Sequence, residues 1–227
     1  LMMSLDRSLG LKLAHFDISR AHFAPEAIRI IFIELPDEDK VPGKDEVGLL
    51  NKTMYGTQDA SNLFQKSYTG LFLENGLKCG KASPATFYGE KKGCRMLVHG
   101  DDFITLANQS TIDYIEGLLK SKYTCKKIAT LGPEESDDKE MVVLSRIIRY
   151  VRSPNEAIEI EADMRHAQLI VEALDLKTAK VVDTPRVKYS EAEVLAEHKL
   201  LQGSKNTLYR SCVMRASCLG QDRFDIQ

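Results

Sequence analysis

The stretch ATFYGEKKGCRMLVHGDDFITLA, residues 85–107, decides how this chain is read. Its apolar residues fall into three short runs separated by turn formers: a strand turning at Glu90–Gly93, a second over CRMLV and a third over FITLA. His99, Gly100, Asp101 and Asp102 occupy the tight turn between the last two. Adjacent carboxylates there are costly, because like charges a few ångströms apart repel and raise one another's pKa unless a cation neutralises them. In extended backbone the two acids point to opposite sides, but a turn lets both approach one ion from the end. Met96, Leu97, Val98, Phe103 and Ile104 flank the turn and would hold it on a rigid sheet. Gly and Asp are also ordinary turn residues, so GDD alone does not separate a polar turn from a metal site.

A third acid stands upstream. Asp17 lies in the apolar strand KLAHFDI, between Phe16 and Ile18. Oxygen ligands of this kind suit Mg²⁺, which keeps several waters and shares a substrate's phosphates. Two such ions can stabilise the attacking and leaving oxygens of an in-line phosphoryl displacement.

Outward from these strands the pattern alternates between sheet and helix. Residues 1–16 read as a short helix running into a strand, and IRIIFIEL (28–35) as a strand stopped by Pro36. PDEDKVPGKDE is a polar loop. In TQDASNLFQKSYTGLFLENG (57–76), Leu63, Phe64, Tyr68, Leu71 and Phe72 recur at helical spacing, and Gly76 sits at the C-cap. QSTIDYIEGLLKSKY (109–123) predicts an amphipathic helix capped by Ser110 or Thr111. PEESDDKE (133–140) reads as a solvated acidic loop.

MVVLSRIIRYV and AIEIEA predict a hairpin through the SPNE turn. ADMRHAQLIVEALDL follows as a helix with Ala167, Ile170, Val171 and Leu174 on one face. After the loop-rich VVDTPRVKYS, a final helix is expected over 205–219. The fold class is α+β, an antiparallel sheet with helices packed on one face.

Bulk properties bound the function. The 227 residues are enough for one large domain or two modest ones, and 43% hydrophobic with 28% charged residues is ordinary for a globular protein. No apolar run approaches the roughly 20 residues needed to span a bilayer, and LMMSLDRSLGLK lacks the features of a secretory signal. Beginning with Leu1, the chain reads as a piece of a longer one. Cys79, Cys94, Cys125, Cys212 and Cys218 are odd in number and never in a C-x-x-C pair, the pattern of reduced thiols in an intracellular protein. With five scattered histidines they argue against structural zinc. A net charge of −2 is unusual for a free-standing nucleic-acid binder, so any basic parts of such a protein are expected outside this stretch.

The motifs, in order, resemble a copia-type retrotransposon reverse transcriptase. HFDISRAHF is similar to the first catalytic motif of that family, an acid in an apolar strand followed by a small residue and an aromatic. LLNKTMYGTQDASNLF resembles the family segment K-K-S-L-Y-G-L-K-Q-A-P-R, retaining Lys52, Tyr55, Gly56 and Ala60. MLVHGDDF stands where the family has its Tyr-x-Asp-Asp box. Downstream, IEIEADMRHAQLIVEALDL followed by DTP is similar to the family's strand, helix and Thr-Pro after the palm, and YRSCVMRASCLGQDRFDIQ resembles the stretch leading toward ribonuclease H. The resemblance spans nearly the whole chain.

It implies a reverse-transcriptase palm over 1–128, with the fingers largely missing. A primer-grip hairpin and a smaller thumb- or connection-like part would fill 129–227. It implies RNA-directed DNA polymerisation, in which a primer 3′-hydroxyl attacks the α-phosphate of a dNTP and releases pyrophosphate. Asp17 and Asp101 would be the principal ligands of two Mg²⁺ (or Mn²⁺) ions, with Asp102 beside them. His22 falls at the aromatic that abuts the incoming sugar, Tyr55 and Gly56 line the nucleotide and template side, and Lys126 takes the place of a lysine that protonates pyrophosphate. The implied partners are an RNA template, a DNA primer, dNTP and the rest of the pol polyprotein (integrase and ribonuclease H), with no membrane. The implied location is the cytoplasm, in a virus-like particle, or the nucleus.

Departures from the family pattern set a rival expectation. His99 replaces the tyrosine of the box, His22 replaces Phe or Tyr, and Asp59, Ser61 and Asn62 stand where Gln, Pro and Arg are usual. Ser145 takes the place of a primer-grip glycine. Without fingers to position the triphosphate, the piece is expected to be weakly active or inactive. The rival is a decayed element that keeps only the palm fold; a metal-dependent nuclease using the same acids stands third.

Overall fold

A computed structural model describes residues 10–152, 157–180 and 201–223. Its strands are β1 (Lys12–Ile18), β2 (Phe32–Glu34), β3 (Val47–Leu49), β4 (Lys78–Cys79), β5 (Thr86–Gly89), β6 (Cys94–His99), β7 (Asp102–Ala107), β8 (Cys125–Leu131), β9 (Glu140–Val143), β10 (Arg146–Val151) and β11 (Ala157–Glu161). Four helices are described: α1 (Ala60–Glu74), α2 (Gln109–Lys120), α3 (Arg165–Ala173) and α4 (Gly203–Gly220). The class is α+β with antiparallel sheets. The chain forms two compact units, Leu1–Met141 with Arg149–Ile158, and Val142–Ile148 with Glu159–Gln227.

In the first unit a six-stranded sheet runs in the order β4-β5-β6-β7-β1-β8. β1 is flanked on both sides, which explains why six of its seven residues are buried. Ala14, Phe16 and Ile18 of β1 join Phe103 and Ala107 of β7 and Met96 and Val98 of β6 in one core. α1 contributes Phe64, Tyr68, Leu71 and Phe72, and α2 contributes Ile112, Ile115 and Leu119. Both helices therefore cover the same face of the sheet. Phe103 is fully buried and meets Phe64, Tyr68 and Phe72 edge-on, with ring centroids 5.4–6.3 Å apart. Burying one such ring contributes roughly 1.5–3 kcal/mol, which anchors the strand that follows the GDD turn. The α1 terminus closes as expected: Gly76 adopts φ 80°, its N–H donates to Leu73, and Leu77 N–H donates to Phe72.

Several local expectations are corrected. The cap of α2 is Asn108, whose side chain accepts from Thr111 N–H at 2.9 Å, two residues before Ser110 and three before Thr111. The predicted eight-residue strand at 28–35 reduces to β2, which pairs only with β3. Its apolar residues lack a covering layer, leaving Ile28, Ile30 and Phe32 between 61% and 80% exposed. The acidic loop is not merely solvated. Asp137 and Glu134 reach the buried Lys12 ammonium at 2.7 and 2.9 Å. Burial lowers the Lys12 pKa, but hydrogen bonds and charge from both acids outweigh it and leave it above the ordinary lysine value. Residues 1–9, on which the expected amino-terminal helix falls, the expected SPNE turn (153–156), Thr184 with Pro185, and 224–227 lie outside the described residues.

MVVLSRIIRYV is not one strand but a hairpin of its own, β9 to β10, in a three-stranded sheet ordered β11-β10-β9. Its two-residue turn is Leu144–Ser145, at φ 48° and 65°. Positive φ at both central residues is the type I′ requirement, which Asn-Gly meets and Leu-Ser does not. In the second unit α3 packs on α4, and Arg146 Nε donates to both carboxylate oxygens of Asp222 at 2.9 and 2.8 Å. The strained turn yields a direct expectation. Ser145→Gly raises the unfolding free energy by about 0.5–1 kcal/mol in urea denaturation; an unchanged or lower value would show that the left-handed serine carries no strain.

Candidate functional site

The β6–β7 hairpin turns through Gly100 and Asp101, with His99 opposite Asp102. Gly100 takes φ 63° and Asp101 does not share the positive value, the arrangement of a type II′ turn with glycine first. On the other side of β7, Asp17 of β1 is the cross-strand partner of Asp102. Ile18 N–H donates to the Asp101 carbonyl at 3.0 Å. That makes Ile18 and Asp101 a hydrogen-bonded pair, so Asp17 and Asp102 form the adjacent non-hydrogen-bonded pair, where side chains come closest. β8 then sets Lys126 opposite Asp17. His99, Asp102, Asp17 and Lys126 thus form one row across four strands, on the face opposite the helices.

A β-bulge decides which lysine joins the row. The β1–β8 register shifts between His15, opposite Ala129, and Phe16, opposite Lys127, leaving Ile128 as the extra residue. Without it Lys127 would face Asp17. With it Lys127 reaches Glu116 of α2 at 2.7 Å, and Lys126 stays free of that helix and exposed.

His15 is the site residue that sequence reading missed. It is 6% exposed, and its Nε2 lies 2.7 Å from Asp102 Oδ1, while its Nδ1 is buried without a protein partner. With Nε2 protonated, the ring donates to the carboxylate. The available signal was strand periodicity, since a residue two before Asp17 shares its face.

His22 and Tyr55 are brought together separately from the row. Their rings meet at a tilt of 36° with centroids 4.4 Å apart, and Phe23 meets Tyr55 edge-on at 5.5 Å. Thr53 Oγ1 donates to the His22 carbonyl, and Thr53 N–H to the Pro25 carbonyl at 3.0 Å, so two chain segments run side by side here. Gly56 follows Tyr55 at φ 92°. Asp59 accepts a two-pronged hydrogen bond from Arg29 at 2.9 Å per prong, which holds its carboxyl below the usual range. The five cysteines are free thiols, and burial pushes Cys94 and Cys125 up to about 11.

Two of the acids, Asp17 and Asp102, face each other on one row, and Asp101 sits at the adjoining turn. Among the described residues no group of three or more His, Cys, Asp or Glu side chains is arranged to hold a metal ion, and Asp102 Oδ1 is engaged by His15. No protein-family model matches this chain, and no curated protein matches it. Among the described residues, no helix is long and apolar enough to cross a membrane.

Directly opposed like charges weaken a strand pair. Asp17→Asn therefore raises stability in a chelating buffer by roughly 0.2–1 kcal/mol, read by chemical denaturation. A loss of stability would instead show that Asp17 carries a structural contact of its own.

Proposed function

We propose that this chain is the palm-centred part of a copia-type retrotransposon reverse transcriptase, an RNA-directed DNA polymerase. The observation that carries the reading is the row His99–Asp102–Asp17–Lys126 with Asp101 at the adjoining turn. Sequence order alone does not bring a residue at 17, a turn at 101–102 and a lysine at 126 onto adjacent strands. A six-stranded antiparallel sheet backed by two helices supplies the rigid platform that positioning chemistry needs.

Asp17 and Asp101, with Asp102, would hold two Mg²⁺ or Mn²⁺ ions. When bound, these neutralise charge on the phosphates and activate the primer hydroxyl. His15 donates to Asp102 Oδ1 and fixes that carboxylate's orientation, as outer-shell partners of ligands do. His22, in contact with Tyr55, would serve as the sugar gate, and Tyr55 with Gly56 would line the nucleotide and template side. His99 replaces the aromatic tyrosine with an imidazole, which gives a smaller surface under a primer end. Lys126, opposite Asp17, carries ammonium protons within the row and is the donor for the departing pyrophosphate. The partners are an RNA template, a DNA primer and dNTP, with integrase and ribonuclease H elsewhere in the pol polyprotein; the place of action is a cytoplasmic particle or the nucleus. Residues 129–227 would serve as primer grip and thumb or connection.

One observation favours a second reading, a decayed element retaining only the fold: Asp102 is engaged by His15, and the three carboxylates do not enclose a common point. Single-nucleotide addition to a DNA primer on an RNA template separates the two. The polymerase reading expects addition that requires Mg²⁺ or Mn²⁺ and falls at least about a hundredfold in Asp101→Asn. No addition with either metal favours the remnant, and metal-dependent strand cleavage without nucleotides points to a nuclease.

A further inference from the structure

In the second unit α3 packs on α4, yet α3 buries none of its residues and α4 buries only Leu219 and Gly220. Between the two helices runs an open groove of about 420 Å³. Ile170 and Leu174 line it from the α3 side, and Leu208, Tyr209, Cys212 and Val213 line it from α4. Leu174, Leu208, Tyr209 and Val213 remain between 37% and 58% exposed. Apolar side chains gathered in one open groove mark an interaction site, whereas singly scattered ones do not.

Charge narrows what fills the groove. Among its described lining residues Lys205 alone is charged, and it sits in the first turn of α4. That turn holds no acid, and the residue before it, Gln202, makes no side-chain capping bond. A lysine there adds to the positive end of the helix dipole, where a carboxylate is the stabilising neighbour. Arg210 and Arg215 bring α4 to three cations and no acid. An apolar floor with a positive end is complementary to an amphipathic helix that carries Glu or Asp beside its apolar stripe. Among the described residues a second copy of the chain has no such helix to give. The apolar faces of α1 and α2 are buried in the core, and Glu116 of α2 is held by Lys120 and Lys127. On the α3 side Asp163 is engaged by Arg165 and Glu172 by Lys177. A bilayer also offers negative charge, but a flat surface does not reach into a groove between two helices.

We infer that the α3–α4 groove is the docking site for an acidic amphipathic helix of another protein. The apolar residues of that helix, spaced i, i+3, i+4 and i+7, enter between Ile170 and Leu174 on one side and Leu208 and Val213 on the other. Its carboxylates meet Lys205 and the N–H groups at the start of α4. The inference involves neither metal nor nucleic acid and stands apart from the polymerase reading.

The probe is a fluorescein-labelled helical peptide with Leu on one face and Glu on the other, titrated with the chain and followed by anisotropy. Lys205→Glu and Val213→Asp each weaken its binding by about tenfold or more. Their melting temperatures stay at the wild-type value, because both side chains are exposed. The same peptide with Lys in place of Glu binds more weakly by about tenfold or more. Bound Glu peptide slows alkylation of Cys212, which lines the groove, and leaves the exposed Cys218 outside it unaffected, as read by mass spectrometry. No binding, or equal binding of the Glu and Lys peptides, or equal binding by the wild type and both variants, would overturn the inference. So would evidence for another occupant. A dimer in sedimentation that Val213→Asp dissolves would assign the groove to a second copy. Cys212 protected in the chain alone until Leu195→Asp frees it would assign the groove to the chain's own residues 181–200. Anionic vesicles bound through Val213, with no binding of the peptide, would make it a membrane contact.

Discussion

The pairing of β1 with β7 governs everything else in the first unit. One hydrogen bond, from Ile18 N–H to the Asp101 carbonyl, fixes the register at the end of that ladder and sets Asp17 beside Asp102. A slip of one residue would turn Asp17 into the helix-covered core and move Phe16 to the opposite face. The rings around Phe103 oppose such a slip, since Phe103 is next to Asp102 in sequence and fully buried against α1. The hydrophobic layer beneath the sheet thus determines where charge sits above it. An unfavourable pair of like charges is held in place by favourable burial on the other face.

Around that pair the charges are graded rather than scattered. His15 donates to Asp102 from the buried side, and Lys126 stands across from Asp17. The bulge at Ile128 diverts Lys127 to Glu116 and leaves Lys126 in the row. Lys12, three residues before His15, is neutralised separately by Asp137 and Glu134. Each buried or half-buried charge on β1 therefore has a counterpart on another strand or loop, and the strand can carry two cationic-type side chains and an acid through the centre of a sheet.

The sequence made the central hairpin and both helices of the first unit legible, because turn chemistry at Gly100 and the spacing of Phe64, Tyr68 and Phe72 are local signals. It located Asp17, Asp101 and Asp102, but not their mutual register, which depends on strand order. His15 escaped because a histidine in an apolar strand has no local mark until its cross-strand neighbour is known. The Asn108 cap was displaced by competition among three neighbouring polar residues that all suit helix starts. IRIIFIEL reads as a full strand by composition, yet pairs over three residues because only β3 lies beside it. The Leu144–Ser145 turn was invisible since neither residue favours positive φ. The role of Asp137 in burying Lys12 could not be read from an acidic run whose usual fate is solvation.

The proposed function requires Asp17, Asp101 and Asp102 to form a divalent-cation site at the end of the β1–β7 ladder. Crystals soaked in Mn²⁺, with anomalous diffraction collected near the manganese edge, test it most directly. The proposed site would show an anomalous peak about 2.1 Å from oxygens of Asp17 and Asp101, with Asp102 turned from His15 toward it or bridged through water. An ordered crystal at saturating Mn²⁺ with no peak there, or with manganese only at other carboxylates, would contradict it.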